Sequence, residues 1–248
     1  MWLTASAVFV AACLLFGAVL AVPYLWDSSA KPMEVMGTQG KQRSLLLFVH
    51  DGAGELTGAV AVQTDTAEGI VQVIGYPKQT EVTYGTSVCT LSECYAAEKT
   101  EAAACLAAAT GGSYGSVWSF STRSLGQLAA WPNGGVTLAL TEAAGLLSVG
   151  EQTVSAVQLA ELLEHTNWGE PVVKQAEMHA VVVALFLERH LQPQTDLEAA
   201  FKAVTALCDD RMTIAHYKNV ERELAALAEQ TARVTAVVPL GKTVGVSS

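Results

Sequence analysis

Three short apolar segments follow one another in the first half of the chain, and each ends at a polar or turn-forming residue. They cover residues 45–49, 58–63 and 70–76, and the breaks fall at His50-Asp51-Gly52, Asp65-Thr66 and Pro77. Short apolar runs bounded by Gly, Asp and Pro predict buried β-strands. Because loops at strand ends carry the functional groups of many folds, we expect a site in residues 50–57 or 77–80.

Helical and strand patterns alternate along the remainder of the chain. Helices are predicted at residues 98–109, 122–130, 172–191 and about 214–229, with another running to residue 207 from a cap at Thr195 or Asp196. Strands are predicted at 115–121, 136–140 and 234–240. Residues 82–92, which are rich in Thr and Ser, and residues 148–154 are expected to be loops. The alternation predicts an α/β domain with a mixed β-sheet and helices on both faces.

An uncharged apolar segment occupies residues 3–25 and is long enough to cross a bilayer as a helix, which needs about 20 residues. Trp2, Tyr24 and Trp26 lie at its ends, where aromatic residues concentrate in membrane proteins. A cleavable signal peptide with residues 19–21 as its cleavage site is the alternative, but the length of the run favours a retained anchor. We predict a single-pass membrane anchor at 1–26, a linker at 27–43, an extracytoplasmic domain at 44–240 and a tail at 241–248.

The composition narrows the range of functions. The chain has 248 residues, of which 51% are hydrophobic and 15% are charged, so it has ample material for a folded core. Its formal net charge is -10. Nucleic acid is a polyanion that proteins bind through stripes of Lys and Arg, which this sequence lacks. We therefore exclude a nucleic-acid partner.

The cysteines leave three states open. A Cys89–Cys94 or a Cys94–Cys105 disulfide fits an exported protein, and free, partly buried thiols fit the sequence equally well. No histidine lies near this segment, and its spacing differs from the Cys-x-x-Cys pattern of zinc sites. No metal site is therefore predicted.

The polar residues of the predicted loops do not form a familiar catalytic pattern. Side chains adjacent in an extended segment, such as His50 and Asp51, point to opposite faces. The sequence contains no nucleophile elbow, phosphate-binding loop or dinucleotide-binding glycine motif. Lys78 could contact a phosphate as a point charge, but one lysine does not make a pyrophosphate site. His179 is interpreted as a core histidine and Asp209-Asp210-Arg211 as a solvated helix start, so no catalytic residue is assigned.

Four longer segments carry a resemblance to a known family. LLLFVHDGAGELTGAVAVQTDT is similar to an opening strand, acidic turn and second strand, and VQVIGYPKQTEV to a strand followed by Ile-Pro-Arg-Asp. AAACLAAATGGSYGSVWSFSTRSLGQLAAWPNGGVTLAL, the most specific segment, is similar to a helix, strand and helix followed by Leu-Gly-Gly-Val. LLSVGEQTVSAV is similar to Leu-Asn-Gly-Glu-Gln-Ala-Leu. Over residues 45–238 the chain thus resembles the extracytoplasmic domain of the LytR–CpsA–Psr family.

The resemblance implies an anchor, an activity and a set of partners. Members of this family are held in the membrane by one N-terminal helix, and they transfer phosphate-linked glycopolymers from a polyprenyl pyrophosphate carrier to peptidoglycan. Arginines and aspartates hold the pyrophosphate and a magnesium ion, and a hydrophobic tunnel takes the lipid. The implied partners are the membrane, a polyprenyl-linked glycopolymer and peptidoglycan. Magnesium is expected only if the family activity is retained.

This sequence departs from the family at the charged positions of that site. Where the first strand of the family ends in an aspartate, this chain has His50, with Asp51 beside it. The positions of the other site arginines and aspartates are occupied by Glu55, Thr57, Lys78, Gln79, Gln158 and Ala160, whereas Lys174 keeps a basic residue. The candidate ligand-binding residues are Asp51, Glu55, Lys78, Gln79 and Lys174.

Three functions are compatible with this pattern. The apolar frame with an altered site favours a catalytically silent domain that binds a lipid-linked glycopolymer or a protein partner in cell-envelope glycopolymer metabolism. The first alternative is an active phosphotransferase with altered site residues, in which Asp51, Glu55 and Lys78 would converge on one pocket. The second alternative is a structural envelope module that has no ligand.

Overall fold

A computed structural model describes residues 42–193, 196–210 and 221–238. The predicted anchor at 1–26, nearly all of the linker at 27–43 and the tail at 241–248 lie outside these residues. Among the helices that are described, none combines the length and the apolar character needed to cross a bilayer.

Nine strands and seven helices alternate within the described residues. The strands are β1 (Gln42–His50), β2 (Leu56–Asp65), β3 (Ile70–Pro77), β4 (Glu81–Tyr84), β5 (Ser87–Thr90), β6 (Ser116–Ser121), β7 (Gly135–Leu140), β8 (Gly150–Ser155) and β9 (Arg233–Val237). The helices are α1 (Leu91–Ala97), α2 (Lys99–Thr110), α3 (Thr122–Ala130), α4 (Ala156–Glu164), α5 (Pro171–His190), α6 (Leu197–Leu207) and α7 (Glu221–Glu229). The three apolar segments fall on β1, β2 and β3, as predicted.

Five strands form the central sheet in the order β6-β1-β2-β3-β9. The strand β2 pairs antiparallel with both β1 and β3. The outer strands are parallel to their neighbours, β6 to β1 and β9 to β3. The pairs β4–β5 and β7–β8 form separate two-stranded sheets. The prediction of an α/β domain with a mixed sheet is therefore confirmed.

Helices cover both faces of the central sheet and create two apolar cores. Leu45, Leu47 and Val49 of β1 contribute to the larger core, together with residues of α3, α4, α5 and α6. Leu46 and Phe48 contribute to the smaller core, together with residues of α1 and α2. Alternate residues of a strand face opposite sides of its sheet. A continuous apolar run is therefore what a strand covered on both faces requires.

Two segments predicted as loops contain regular structure, so those predictions are wrong. Residues 82–92 include the β4–β5 hairpin and the first turn of α1, where Thr90 and Glu93 exchange hydrogen bonds as a capping box. Residues 150–155 form β8, which pairs with β7. These short strands are largely polar, so they lack the apolar pattern that predicts a strand. Their strand conformation depends more on pairing with a neighbouring strand.

Glycine allows two helices to approach their neighbours unusually closely. A Cβ atom on Gly75 of β3 would lie 2.1 Å from the carbonyl oxygen of Ala176 in α5. A Cβ atom on Gly126 of α3 would lie 2.6 Å from the carbonyl oxygen of Ala156 in α4. Because both distances are far below van der Waals contact, any larger residue would have to push the elements apart.

We predict that Gly75→Ala lowers the free energy of unfolding by roughly 3 kcal/mol, because the added methyl group forces α5 away from β3. Denaturant unfolding of the full-length protein, followed by circular dichroism, measures this change. Gly115→Ala is the control, since a Cβ there would meet only the Ser44 carbonyl oxygen, at 3.5 Å. Equal stability of Gly75→Ala and the parent would contradict the close packing.

Candidate functional site

A cleft of about 770 Å³ opens at the carboxyl ends of β1 and β6, which run parallel and end side by side. Its walls come from the turn after β1, the start of α3 and one side of α4. The polar and charged residues that line it are His50, Asp51, Ser121, Thr122, Arg123, Glu161 and Glu164. Ligands of α/β folds bind at the carboxyl ends of strands, so this cleft is the candidate site.

Both ring nitrogens of His50, the last residue of β1, face oxygen atoms. Nε2 lies 2.7 Å from Oδ2 of Asp209, and Nδ1 lies 2.8 Å from the backbone carbonyl oxygen of Asp51. Carbonyl and carboxylate oxygens only accept hydrogen bonds, so a ring nitrogen that carries a proton donates to the oxygen it faces. The His50 ring therefore links the end of β1 to Asp209.

Asp209 and Asp210 join the segment after α6 to the outer edge of β6. The N–H of Asp209 donates to the Ser119 carbonyl oxygen at 3.0 Å, and the Ser119 N–H donates to the Asp210 carboxylate at 2.7 Å. The Lys99 ammonium group lies 2.7 Å from both oxygens of that carboxylate. Arg211 lies outside the described residues, so the interpretation of Asp209-Asp210-Arg211 as a solvated helix start stays a prediction. The structure adds that both carboxylates bind groups from distant segments. Their partners are far away along the chain, so no local signal could have revealed them.

Acidic side chains outnumber basic ones around the cleft. Asp51, Glu161 and Glu164 line it, whereas Arg123 is the one arginine or lysine among the described residues of the lining. The imidazole of His50 is already paired with a carboxylate. A pyrophosphate placed in the cleft would therefore meet more like charge than opposite charge.

Of the five predicted ligand-binding residues, Asp51 lines the cleft and the other four do not. Its Oδ1 atom accepts hydrogen bonds from the N–H groups of Ala53 and Glu55, at 2.8 Å and 3.0 Å, so this carboxylate also shapes the turn. The Glu55 side chain is exposed, and Lys78 and Gln79 lie in the turn after β3. Glu55 and Lys78 are thus not part of the lining that contains Asp51.

Lys174 is paired within the chain at the start of α5. Its Nζ atom lies 2.9 Å from the Glu177 carboxylate and 3.1 Å from the Thr141 hydroxyl oxygen. The second contact ties α5 to the loop after β7. The basic group that the family resemblance preserves therefore contributes to a structural contact away from the cleft lining.

Thr57 and His179 form a buried polar pair near the end of β1. Nε2 of His179 lies 3.1 Å from the Thr57 hydroxyl oxygen, and Nδ1 lies 2.7 Å from the Gln175 carbonyl oxygen. Burial lowers the pKa of His179 to about 4, so the ring is neutral near pH 7. Nδ1–H then donates to the Gln175 carbonyl oxygen, whereas the Thr57 hydroxyl donates to the Val49 carbonyl oxygen at 2.9 Å and has Nε2 as a second neighbour. The interpretation of His179 as a core histidine is confirmed.

The cleft does not present the donor set of a magnesium site. The described residues contain no group of three or more His, Cys, Asp or Glu side chains that could hold a metal ion. Oδ1 of Asp51 already accepts from two backbone N–H groups, and Glu164 accepts from the Thr122 hydroxyl. The described residues therefore contain no preformed cluster of ligands for the magnesium ion that the family resemblance implies.

Solved structures identify the fold of this chain, whereas comparisons of its sequence find no match. No family model and no curated protein sequence matches the chain. A structure from Eubacterium siraeum, described as a transcription regulator, has a TM-score of 0.70 at 15% identity, covering 89% of this chain and 92% of that one. The fold is therefore shared with proteins that the sequence alone does not group with this chain.

Two further structures place the fold in the class that the sequence resemblance suggested. TagT bound to LI-WTA has a TM-score of 0.62 at 11% identity, with 83% of this chain and 82% of that one covered. TagV from Bacillus subtilis has a TM-score of 0.63 at 9% identity, with 81% and 85% covered. Both are LytR–CpsA–Psr proteins. The domain thus has a LytR–CpsA–Psr-like fold.

We predict that stability falls on acidification between pH 6.5 and pH 4. Burial lowers the pKa values of His179 and of His190 to about 4, while an unfolded histidine titrates near 6.5. The unfolded state therefore binds more protons in this window, and the free energy of unfolding rises with pH until both histidines are neutral in both states. Each contributes a slope of up to about 1.4 kcal/mol per pH unit.

Denaturant unfolding across this pH range measures the slope. His179→Gln should reduce the slope by about half, because the contribution of His190 remains, and His179→Gln combined with His190→Gln should remove both contributions. An unchanged slope in His179→Gln would show that this ring does not titrate as its burial requires.

We predict that Asp210→Asn lowers the free energy of unfolding by roughly 1–2 kcal/mol, since charge-assisted hydrogen bonds to Ser119 and Lys99 lose their charge. Hydrogen exchange at the Ser119 amide should also become faster. Glu198→Gln is the control, because its pair with Lys202 is exposed to solvent and contributes little to stability. Slow exchange at Ser119 in Asp210→Asn would contradict the role of this carboxylate at the sheet edge.

Proposed function

We propose that the chain is a membrane-anchored, extracytoplasmic LytR–CpsA–Psr-like protein that acts in cell-envelope glycopolymer metabolism by binding, without transferring the polymer. One observation carries the proposal: a LytR–CpsA–Psr-like fold has an open cleft at its strand ends, but acidic residues dominate the walls of that cleft. The scaffold is thus compatible with ligand binding, and the electrostatics oppose pyrophosphate chemistry.

The similar structures support the envelope role. The solved TagT structure contains LI-WTA, and its fold matches this chain over most of both chains. The name of the Eubacterium siraeum structure would suggest regulation of transcription, which requires contact with DNA. A net charge of -10 opposes binding to a polyanion. We therefore propose a role at the envelope rather than on DNA.

The charged residues of the site support the proposal that the domain does not catalyse polymer transfer. Holding a pyrophosphate through its transfer needs several charge-assisted hydrogen bonds, each contributing about 1.5–3 kcal/mol. One position that has an arginine in the family has Gln158 in this chain. The Gln158 side-chain oxygen accepts a hydrogen bond from the Ser155 N–H and so caps α4. Ala160 lines the cleft with a methyl group. Loss of several such bonds together is sufficient to abolish transfer.

The cleft itself offers surface for binding a glycan or a partner chain. Its floor and rim combine hydroxyl groups, such as that of Ser121, with the apolar side chains of Val157 and Ala160. Val157 is 67% exposed, so a ligand in the cleft would cover apolar surface that water now contacts. This mixture suits a ligand recognised by its hydroxyl groups and apolar faces rather than by its phosphates. We therefore assign binding to the glycopolymer portion.

We predict that the full-length protein, incubated with a polyprenyl-pyrophosphate-linked glycopolymer, peptidoglycan and magnesium, binds the glycopolymer but transfers none of it. An active LytR–CpsA–Psr enzyme serves as the positive control for transfer. In the same preparation, Ala160→Trp should weaken binding by at least about tenfold, because an indole ring fills the cleft and removes buried contact area. Labelled polymer measures both quantities.

Ala108→Trp is the matched control, since it adds the same side chain to an exposed alanine on α2, away from the cleft. It should bind like the parent. Transfer of polymer to peptidoglycan by the parent protein would overturn the proposal of a silent enzyme. Equal binding by Ala160→Trp and Ala108→Trp would instead overturn the assignment of binding to this cleft.

A further inference from the structure

Three of the five cysteines of the chain meet in the smaller core. Cys89 lies in β5, Cys94 in α1 and Cys105 in α2. Cys94 and Cys105 are buried in this core, Cys89 packs against it, and both neighbouring thiols contribute to raising the pKa of Cys94. All three are free thiols. Two different disulfides are therefore within reach of one sulfur atom, and forming either one excludes the other.

The three thiols differ in their access to solvent. Cys94 is 1% exposed and Cys105 is 8% exposed, so a bulky oxidant cannot reach either of them directly. Cys89 is only partly buried, because it lies on a two-stranded hairpin at the rim of this core. An external oxidant therefore reaches the cluster through Cys89.

The surroundings of Cys94 also determine that Cys89 reacts with an oxidant before Cys94 does. Burial, together with hydrogen bonding to Cys105, raises the pKa of Cys94 to about 12. A thiol must lose its proton to attack a disulfide, so Cys94 reacts slowly with a free oxidant. Once Cys89 carries a mixed disulfide, the electrophilic sulfur lies beside Cys94, and proximity compensates for the low thiolate fraction.

We propose that Cys89, Cys94 and Cys105 form a thiol relay that captures an oxidising small-molecule disulfide at Cys89 and stores the oxidation as a buried Cys94–Cys105 disulfide. This property is independent of the proposed glycopolymer binding, because the cluster lies in the smaller core and none of its residues lines the cleft.

The steps balance with oxidised glutathione as the oxidant. The Cys89 thiolate attacks one glutathione sulfur, forming a mixed disulfide and releasing one reduced glutathione. The Cys94 thiolate attacks the Cys89 sulfur, forming Cys89–Cys94 and releasing the second reduced glutathione. The Cys105 thiolate then attacks the Cys94 sulfur and releases the Cys89 thiolate. Two protein thiols are oxidised in total, and one glutathione disulfide is reduced.

The last exchange favours Cys105 for a structural reason. Both sulfurs of a Cys94–Cys105 disulfide are buried, so the released glutathione cannot attack it, whereas Cys89–Cys94 keeps one partly exposed sulfur. The Cys94–Cys105 disulfide also links α1 to α2 beneath the sheet face that contains Leu46 and Phe48. The oxidised form should therefore hold these two helices together more firmly than the reduced form.

The relay is tested on the full-length chain carrying Cys13→Ser, so that the four cysteines of the described domain are the remaining thiols. The reduced protein is exposed to oxidised glutathione, quenched at intervals with acid and mapped by mass spectrometry of its peptides. We expect glutathione on Cys89 first, and a Cys94–Cys105 peptide pair with free Cys89 at the end. The melting temperature should rise by roughly 5 °C on oxidation and return on reduction.

Single substitutions should stop the relay at defined steps. In Cys94→Ser, oxidation should stop at the mixed disulfide on Cys89, and in Cys105→Ser it should stop at Cys89–Cys94. Cys89→Ser should slow disulfide formation at least about tenfold, since the remaining thiols are buried. Cys208→Ser is the control and should follow the parent time course, because Cys208 contacts Ser119 instead of this cluster.

Circular dichroism of the reduced variants establishes that each is folded, and Cys→Ala versions replace any serine variant that is not. The proposal is overturned if the parent keeps all four thiols free in oxidised glutathione. It is also overturned if Cys94→Ser forms an internal disulfide at the parental rate, because the relay requires Cys94 in every product.

Discussion

Burial of β1 on both faces is the constraint from which the rest of the structure follows. The side chains from Leu45 to Val49 are 0% exposed, so this strand needs a neighbour on each edge and helices on each face. β2 and β6 supply the edges, α1 and α2 cover one face, and α3, α4, α5, α6 and α7 contribute to the core on the other. Because β6 is parallel to β1, their carboxyl ends coincide, and the cleft forms at that point.

The outer edge of β6 explains much of the charge beside the cleft. An edge strand exposes backbone N–H and carbonyl groups that would otherwise attract another chain. Here the segment with Asp209 and Asp210 satisfies both groups of Ser119, and the same segment brings a carboxylate to His50. These charges therefore serve the fold. The walls of the cleft carry more acidic than basic side chains, which disfavours a polyanionic ligand.

Local patterns locate the candidate site but not the contacts within it. A loop after a buried strand had to lie at one end of the sheet, so residues 50–54 flank the cleft as expected. The turn at 77–80 was the second expected location, and none of its residues is part of the lining. His50 and Asp209 are 159 positions apart in sequence, and nothing near either residue indicates the other. The spacing of residues along one segment carries no information about such a pair.

By itself the sequence determined the α/β class, the three central strands and most of the helices, because apolar periodicity and capping residues act over a few neighbouring positions. Ser121 caps α3 and Asp196 caps α6 through contacts of this kind. Only the tertiary structure decided that β8 pairs with β7, that Lys174 contacts Thr141, and that three cysteines meet in one core. In each case the outcome depends on how packed elements are placed in space, which the pattern of one segment does not specify.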